Sequence, residues 1–337
     1  MEKYVTLVYL PEDEETANHL ADEFAEKHVD VHLFEKHDLK QTEILNDIKK
    51  SACLILLHIS EDFDYRYYLR EIVKADNRCQ TVAAFLQKST YQNKFTYNEI
   101  EIKEGYPIEA LCNDICSIMV GGFNLKVTPF NRKKLRKEAF ADYNAGNYVW
   151  SLCYLLKLFK MNDLQVKEKI AAAYSTLMNS DKAINYYSIC LPSNGNFGSQ
   201  AEICNNLGYL YTQTRNLEFA EKYLKLAIEN GNPDALYNLG YLYETSWAYD
   251  SKMRRTREAY DIYCQVLESK TTSENSKALA KEKLTEQAEK LLLRRNYAVA
   301  MTYFKAIGNG AKVAECLRNI KMLREAYEAR KRQQAGK

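Results

Sequence analysis

A six-residue block occurs twice in this 337-residue chain, 32 residues apart: Asn206-Leu207-Gly208-Tyr209-Leu210-Tyr211 and Asn238-Leu239-Gly240-Tyr241-Leu242-Tyr243. An identical copy at that spacing means one supersecondary unit stacked on the next, because a unit so short cannot bury its apolar face alone. Between the copies, Ala220, Tyr223, Leu224 and Ala227 fall at helical spacing and read as the second helix of a pair. Asn230-Gly231-Asn232-Pro233 is the break before the next unit. Weaker copies extend the pattern both ways. Ala139 to Phe159 has Gly146-Asn147-Tyr148 at its turn, and Ala171 to Tyr187 gives another unit. Arg257 to Leu267 completes the unit begun at Ala235, after an insertion around Ser246 to Arg255. Leu284 to Ile307 turns at Asn296-Tyr297, and Val313 to Tyr327 caps the stack. Residues 126–337 are therefore expected to form an all-α helical-repeat solenoid of about five helix pairs plus a capping helix.

This period and pattern resemble tetratricopeptide and Sel1-like repeats, Asn232-Pro233-Asp234-Ala235 leading into the second block being the most Sel1-like stretch. The resemblance implies a protein or peptide partner held on the concave face of the array. Gly208 and Gly240 are expected where paired helices approach closely. Of Tyr209, Tyr211, Tyr241 and Tyr243, some must fill the core and others line that face.

The first 125 residues follow another rhythm. Tyr4 to Leu10 and Cys53 to Ile59 are nearly continuous apolar runs, as strands buried on both faces should be. Val29 to Phe34 and Thr81 to Leu86 read as two further strands. Helices are expected around Leu20 and Phe24, around Ile44, Leu45 and Ile48, over Tyr67 to Ala75, and over Ile108 to Val120. Strands alternating with helices predict an α/β domain, a flavodoxin-like parallel sheet with helices on both faces. Gly121-Gly122 and Thr128-Pro129 punctuate the chain and set the domain boundary at 125/126. Neither G-x-G-x-x-G nor G-x-x-x-x-G-K-[ST] occurs, so a dinucleotide fold or P-loop of the usual kind is not expected.

The order of a strand, an acidic helix start, Val29-Asp30-Val31-His32-Leu33-Phe34-Glu35, the run Cys53 to Ser60, and Tyr65 to Ile72 resembles a Toll/interleukin-1 receptor (TIR) domain. The resemblance covers residues 1–125, with Ser60 and Tyr65-Arg66-Tyr67-Tyr68-Leu69-Arg70-Glu71-Ile72 matching the family's serine and helix motif. It implies cleavage of the nicotinamide–ribose bond of NAD, as an NAD hydrolase or ADP-ribosyl cyclase. NAD is then the substrate, with no resident cofactor. Glu71 takes the place of the catalytic glutamate, stabilising an oxocarbenium-like transition state. Tyr67 lies one turn earlier on the same helix face, and Tyr9 and Lys36 flank the crevice as ligand-binding residues. Self-association through the TIR-like domain is implied as well.

Charge is unevenly spread. Residues 1–125 hold 13 Lys+Arg and 23 Asp+Glu, a balance of −10; residues 126–337 hold 34 and 22, a balance of +12. An acidic head on a basic body invites docking between them or an acidic partner. The basic residues are scattered over helices and no nucleic-acid module appears, so nucleic-acid binding gains little support. Nine cysteines without repeated spacing point to reduced thiols. No apolar run reaches membrane-spanning length, and the start MEKYVTLVYL enters a strand pattern directly, so a cytoplasmic protein is expected. The five histidines all fall in residues 1–125, but none is spaced as a metal motif, and no metal site is expected. The favoured expectation is a signalling or defence effector, a TIR-like NAD-cleaving domain regulated by a protein-binding array. The alternative is a catalytically silent TIR-like adaptor, and a third reading is a flavodoxin-like nucleotide sensor.

Overall fold

Val5, Leu7 and Val8 of the first strand are all but excluded from solvent, because that strand lies inside a parallel sheet. In the computed structural model of the chain, residues 3–35, 41–57, 80–85, 98–102, 106–122, 127–191, 200–246 and 256–335 are described. Strands β1 (Tyr4–Tyr9), β2 (Asp30–Glu35), β3 (Cys53–Leu57), β4 (Gln80–Phe85) and β5 (Asn98–Glu101) run parallel in the order β2-β1-β3-β4-β5. β1 and β3 are the continuous apolar runs and have neighbours on both sides. β2 is an edge strand, and its first residues alternate between exposed and half-buried. β5 has no counterpart in the sequence reading; one isoleucine in Asn98-Glu99-Ile100-Glu101 leaves no burial pattern to read.

The strand order fixes where the helices go. From β1 the chain steps to β2 on one side, then returns across β1 to β3. Right-handed crossovers in opposite directions put α1 (Glu14–Glu26) and α2 (Gln41–Lys50) on opposite faces of the sheet. Side chains agree with this. Tyr4 and Thr6, on one face of β1, reach α2: the Tyr4 hydroxyl donates to the Asp47 carbonyl (2.9 Å) and the Thr6 hydroxyl to its carboxylate (2.6 Å). On α1, Ala17, Leu20 and Phe24 are buried. They pack with α3 (Ile108–Gly122), whose buried residues include Leu111, Ile115 and Met119.

Two compact units make up the chain, Met1–Tyr186 and Tyr187–Lys337. Secondary structure changes to helix alone after α3, whereas compactness divides the chain further on. The cause lies within the first unit, where α3 packs on α5 (Tyr148–Lys160) as well as on α1. Lys3 adds a tie from β1 to α4 (Arg132–Asn144), its ammonium donating at 2.5 and 2.8 Å to the buried Asp142 carboxylate. α4 pairs with α5, and Tyr174 of α6 (Lys167–Thr176) stacks on Tyr186 of α7 (Ser180–Cys190), centroids 5.8 Å apart. The second unit holds α8 (Ala201–Gln213) with α9 (Leu217–Glu229), α10 (Ala235–Thr245) with α11 (Thr256–Glu268), and α12 (Glu274–Leu293) with α13 (Tyr297–Ala306). α14 (Gly310–Ala335) follows.

One turn recurs six times among the described residues. Gly146, Met178, Arg215, Gly231, Arg295 and Gly308 each end a helix at positive φ. The next residue is asparagine every time: Asn147, Asn179, Asn216, Asn232, Asn296 and Asn309. Each of those asparagine amides bonds back to the carbonyl five residues earlier at 2.9 Å, satisfying an otherwise orphaned helix-end carbonyl. A repeated turn makes successive pairs alike, so faces built on one pair recur on the next.

Candidate protein-binding face

The duplicated block places its two tyrosines two residues apart, about 200° around a helix. They cannot share an environment, and the structure sorts them the same way in both copies. Tyr243 is 4% exposed, and its hydroxyl donates to Glu221 at 2.7 Å. Its equivalent Tyr211 is half-buried and stacked on Tyr223 with centroids 5.6 Å apart. Tyr209, by contrast, is 42% exposed. Tyr241, its equivalent, is half-buried, with the Lys283 ammonium 5.9 Å from its ring centroid. The fourth position of the block therefore faces outward and the sixth inward.

The outward positions lie on the first helices of successive pairs, and polar contacts tie those helices together. Asn238 of α10 donates from Nδ2 to Asn205 Oδ1 of α8 at 2.8 Å, and Asn206 of α8 donates back to the Tyr187 hydroxyl of α7 at 3.2 Å. An amide side chain has two donors and two acceptor lone pairs, so each half-buried asparagine keeps bonding capacity beyond these contacts. Tyrosine offers large rigid area with a polar end. Asn205, Tyr209, Asn238 and Tyr241 thus form a face that can grip a peptide backbone and its side chains.

Beneath that face lies a charged hub. Glu244 Oε1 accepts from the Tyr260 hydroxyl at 3.1 Å and Oε2 from the Tyr263 hydroxyl at 2.8 Å, while the Lys283 ammonium stands 3.5 Å away. Burial first, then the charge of Glu244, pushes Tyr237 up to about 12 and raises Tyr260 and Tyr263 further. Burial also lifts Tyr303 to about 12. A phenol whose folded pKa lies above its unfolded value near 10 stabilises the fold fully below pH 10. That stability is lost as pH rises through about 12 for Tyr237 and Tyr303. Thermal melts should therefore hold a flat midpoint up to about pH 9 and fall steeply above 10, with part of the tyrosinate absorbance, that of the buried phenols, appearing only as the fold is lost. Complete tyrosinate absorbance ahead of unfolding would contradict the buried hub.

Elsewhere in the second unit, an open cleft of about 410 Å³ lies between α11, α12 and α13, with Tyr260, Leu291 and Tyr303 in its walls and Arg257 and Asp261 beside them.

Of the four residues singled out for NAD chemistry, Tyr9 is described. It ends β1, half-buried, opposite Glu35 in the ladder and next to the β1/β3 switch point where open parallel sheets hold ligands. Lys36, Tyr67 and Glu71 lie outside the described residues, as do Ser60 and the whole Tyr65–Ile72 motif. Among the described residues no group of three or more His, Cys, Asp or Glu side chains is placed to hold a metal ion. His32 stacks on Tyr4 with centroids 4.0 Å apart and meets Asp47 at 2.7 Å, a packing role on the sheet edge. The cysteines among the described residues are free thiols, all buried except the half-buried Cys264. No described helix is long and apolar enough to cross a membrane.

Three of the turn asparagines, Asn147, Asn232 and Asn296, stand at breaks in the sequence reading, whereas Asn179, Asn216, Asn309 and the Glu244 hub are absent from it. The recurrence of asparagine after these helix ends was the available signal for the first. No signal pointed to the second, because Glu244 meets its tyrosine partners only after the insertion is spanned.

No family model matches the sequence, and a comparison with curated proteins gives no match. Among solved structures, MamA (AMB-1) is similar over 58% of this chain and 98% of its own length, at 18% identity and a TM-score of 0.32. A likeness that weak carries no argument; the helical-repeat character rests on the geometry above.

Proposed function

We propose that this chain is a protein-binding scaffold whose repeats take an extended peptide along the outward face of α8, α10 and α12. The observation that carries it is the recurrence, one repeat apart, of outward Tyr209 and Tyr241 with Asn205 and Asn238 bonded between their helices. In this reading residues 1–125 are a TIR-like module with a flavodoxin-like sheet that joins copies or partners. Peptides selected from a random library against the full chain should lose at least tenfold in affinity in Tyr209→Ala and in Asn238→Ala. Thr302→Ala, in the cleft lined by α11 to α13, should leave binding unchanged. A library that yields no binder, or binders indifferent to both face variants, overturns the proposal.

A second reading keeps the chemistry that the resemblance implies: NAD cleavage in the TIR-like domain, with Glu71 as the catalytic carboxylate, Tyr9, Lys36 and Tyr67 around the ligand, and the repeats as regulator of a signalling or defence effector. The strand order β2-β1-β3-β4-β5 favours it, since it is the flavodoxin-like order with a ligand crevice at the β1/β3 switch point. Concentrated protein should then consume NAD, releasing ADP-ribose or its cyclic form, and Glu71→Ala should abolish that loss. Turnover that persists in Glu71→Ala, or none even in assemblies, rules this reading out.

A further inference from the structure

α14 is 26 residues long, about 39 Å, whereas the α13 it packs on has 10 residues. Val313 and Cys316 at its start join the core of the second unit. Beyond them the helix carries an apolar seam that is half-buried at Ile320 and open from Leu323 onward. Ile320, Leu323 and Tyr327 follow one another at spacings of three and four, with Leu323 50% and Tyr327 69% exposed. Every residue from 321 to 332 is exposed. Residues 317–332 include six Lys or Arg and two Glu, a balance of +4. Two of the basic residues meet glutamates along the same helix at 3.9 Å, Lys321 with Glu325 and Arg324 with Glu328. Such exposed pairs are worth little and leave the charges available. A second α14 laid on this seam would set +4 against +4, so the occupant must be acidic.

The chain itself carries a surface of that kind. Residues 11–26 hold seven Asp or Glu and no Lys or Arg. Glu15, Asn18, Asp22 and Ala25 follow one another at spacings of three, four and three, and all four are exposed, so they form one outward seam of α1. Glu14 and Glu26 are exposed beside it. Asn18, Asp22 and Ala25 have short side chains, which let a second helix approach closely. The charges also match in spacing. Glu15 and Asp22 lie seven residues apart, two helical turns, and so do Arg324 and Lys331 beside the α14 seam.

We propose that α14 of one copy docks its Ile320-Leu323-Tyr327 seam on the Glu15-Asn18-Asp22-Ala25 seam of α1 in a second copy, held by opposite charge. Two different surfaces meet in such a contact. It is head-to-tail, so copies join through it into a closed ring or an open chain. This goes beyond the peptide-binding reading, since none of its residues lies on α8, α10 or α12.

Sedimentation of the full chain tests it. At about 50 mM salt the mean mass should grow with concentration past the monomer, and about 500 mM salt should weaken association at least tenfold. Arg324→Glu with Lys331→Glu, and separately Glu15→Lys with Asp22→Lys, should each weaken association at least tenfold, and all four changes together should restore much of it. All these side chains are exposed, and a thermal melt of each variant checks that the fold is kept, since Glu15 lies in the first turn of α1. A monomer at every concentration overturns the proposal, as does association indifferent to either pair, or a combination as weak as its parts. Capture of the monomer by phosphatidylserine vesicles, lost in Arg324→Glu with Lys331→Glu, would assign α14 to a membrane surface and overturn it too.

Discussion

Gly208→Ala lowers the thermal midpoint by about 3–8 °C, although the same exchange inside an ordinary helix raises stability. A methyl group on Gly208 would sit 2.5 Å from Leu224 Cγ, 2.7 Å from its Cδ2 and 3.1 Å from its backbone nitrogen. Leu224 is fully buried, and its own amide crowds the same spot, so rotation of the side chain gives no relief. The helix has to move. Overpacking costs about 1–3 kcal/mol, and a 2.5 Å approach with backbone beside it belongs at about 2–3 kcal/mol, against about 1 kcal/mol gained by removing a helix-interior glycine. The net is a loss of about 1–2 kcal/mol, read as the stated fall for a unit of this size. Gly121 supplies the opposite case. It lies in α3, is exposed, and has nothing within 4 Å of an added methyl. Gly121→Ala should be neutral or slightly stabilising. Equal melting shifts for the two variants would mean that α8 and α9 are not packed through this glycine.

That contrast shows what a sequence can carry. Gly208 and Gly240 are legible as close-approach sites because each recurs at the same place in an identical block, and repetition marks a shared constraint. β1 and β3 are legible because a strand with neighbours on both sides is apolar throughout. β5 is not, since an outer strand with one isoleucine gives no period to detect. The division of labour among the four block tyrosines also escapes a one-dimensional reading. Their identity is the same in every copy, and only the helix rotation separates Tyr209 from Tyr211. The TIR-like motif is a different matter: Tyr67 and Glu71 are legible as a pattern, but what they touch lies outside the described residues. The candidate face came from geometry, with the sequence having narrowed it to four tyrosines and the direction in which the repeats run.

Glu244→Ala should lose about 3 kcal/mol of stability, the larger of the two effects. The reason begins at Gly240, where an added methyl would stand 2.7 Å from Tyr263 Cε1 and 3.0 Å from Cδ1, so the tyrosine ring lies across the glycine. One turn further along α10, Glu244 receives that tyrosine's hydroxyl at 2.8 Å and the Tyr260 hydroxyl at 3.1 Å. Tyr263 is fully buried and Tyr260 is 6% exposed, so removing the acceptor strands two phenols away from water. Each orphaned donor costs about 1–3 kcal/mol. Glu244 is 18% exposed, and Lys283 beside it can turn to solvent, which limits the total. Replacing both partners is milder than removing one, because nothing is then left unpaired. Tyr263→Phe in the Glu244→Ala background should thus recover about 1 kcal/mol or more, while Tyr263→Phe alone should cost about 1 kcal/mol. In the preceding repeat the same places are held by Gly208, Leu224 and Thr212, and Thr212 bonds its own helix at the Gly208 carbonyl (2.9 Å). In the later repeat a tyrosine and a glutamate stand together where the preceding repeat has leucine and threonine, one supplying a buried hydroxyl and the other its acceptor. Additive losses for Glu244→Ala and Tyr263→Phe, with no coupling in a double-mutant cycle, would show that the hydroxyl and carboxylate are not bound to one another in solution.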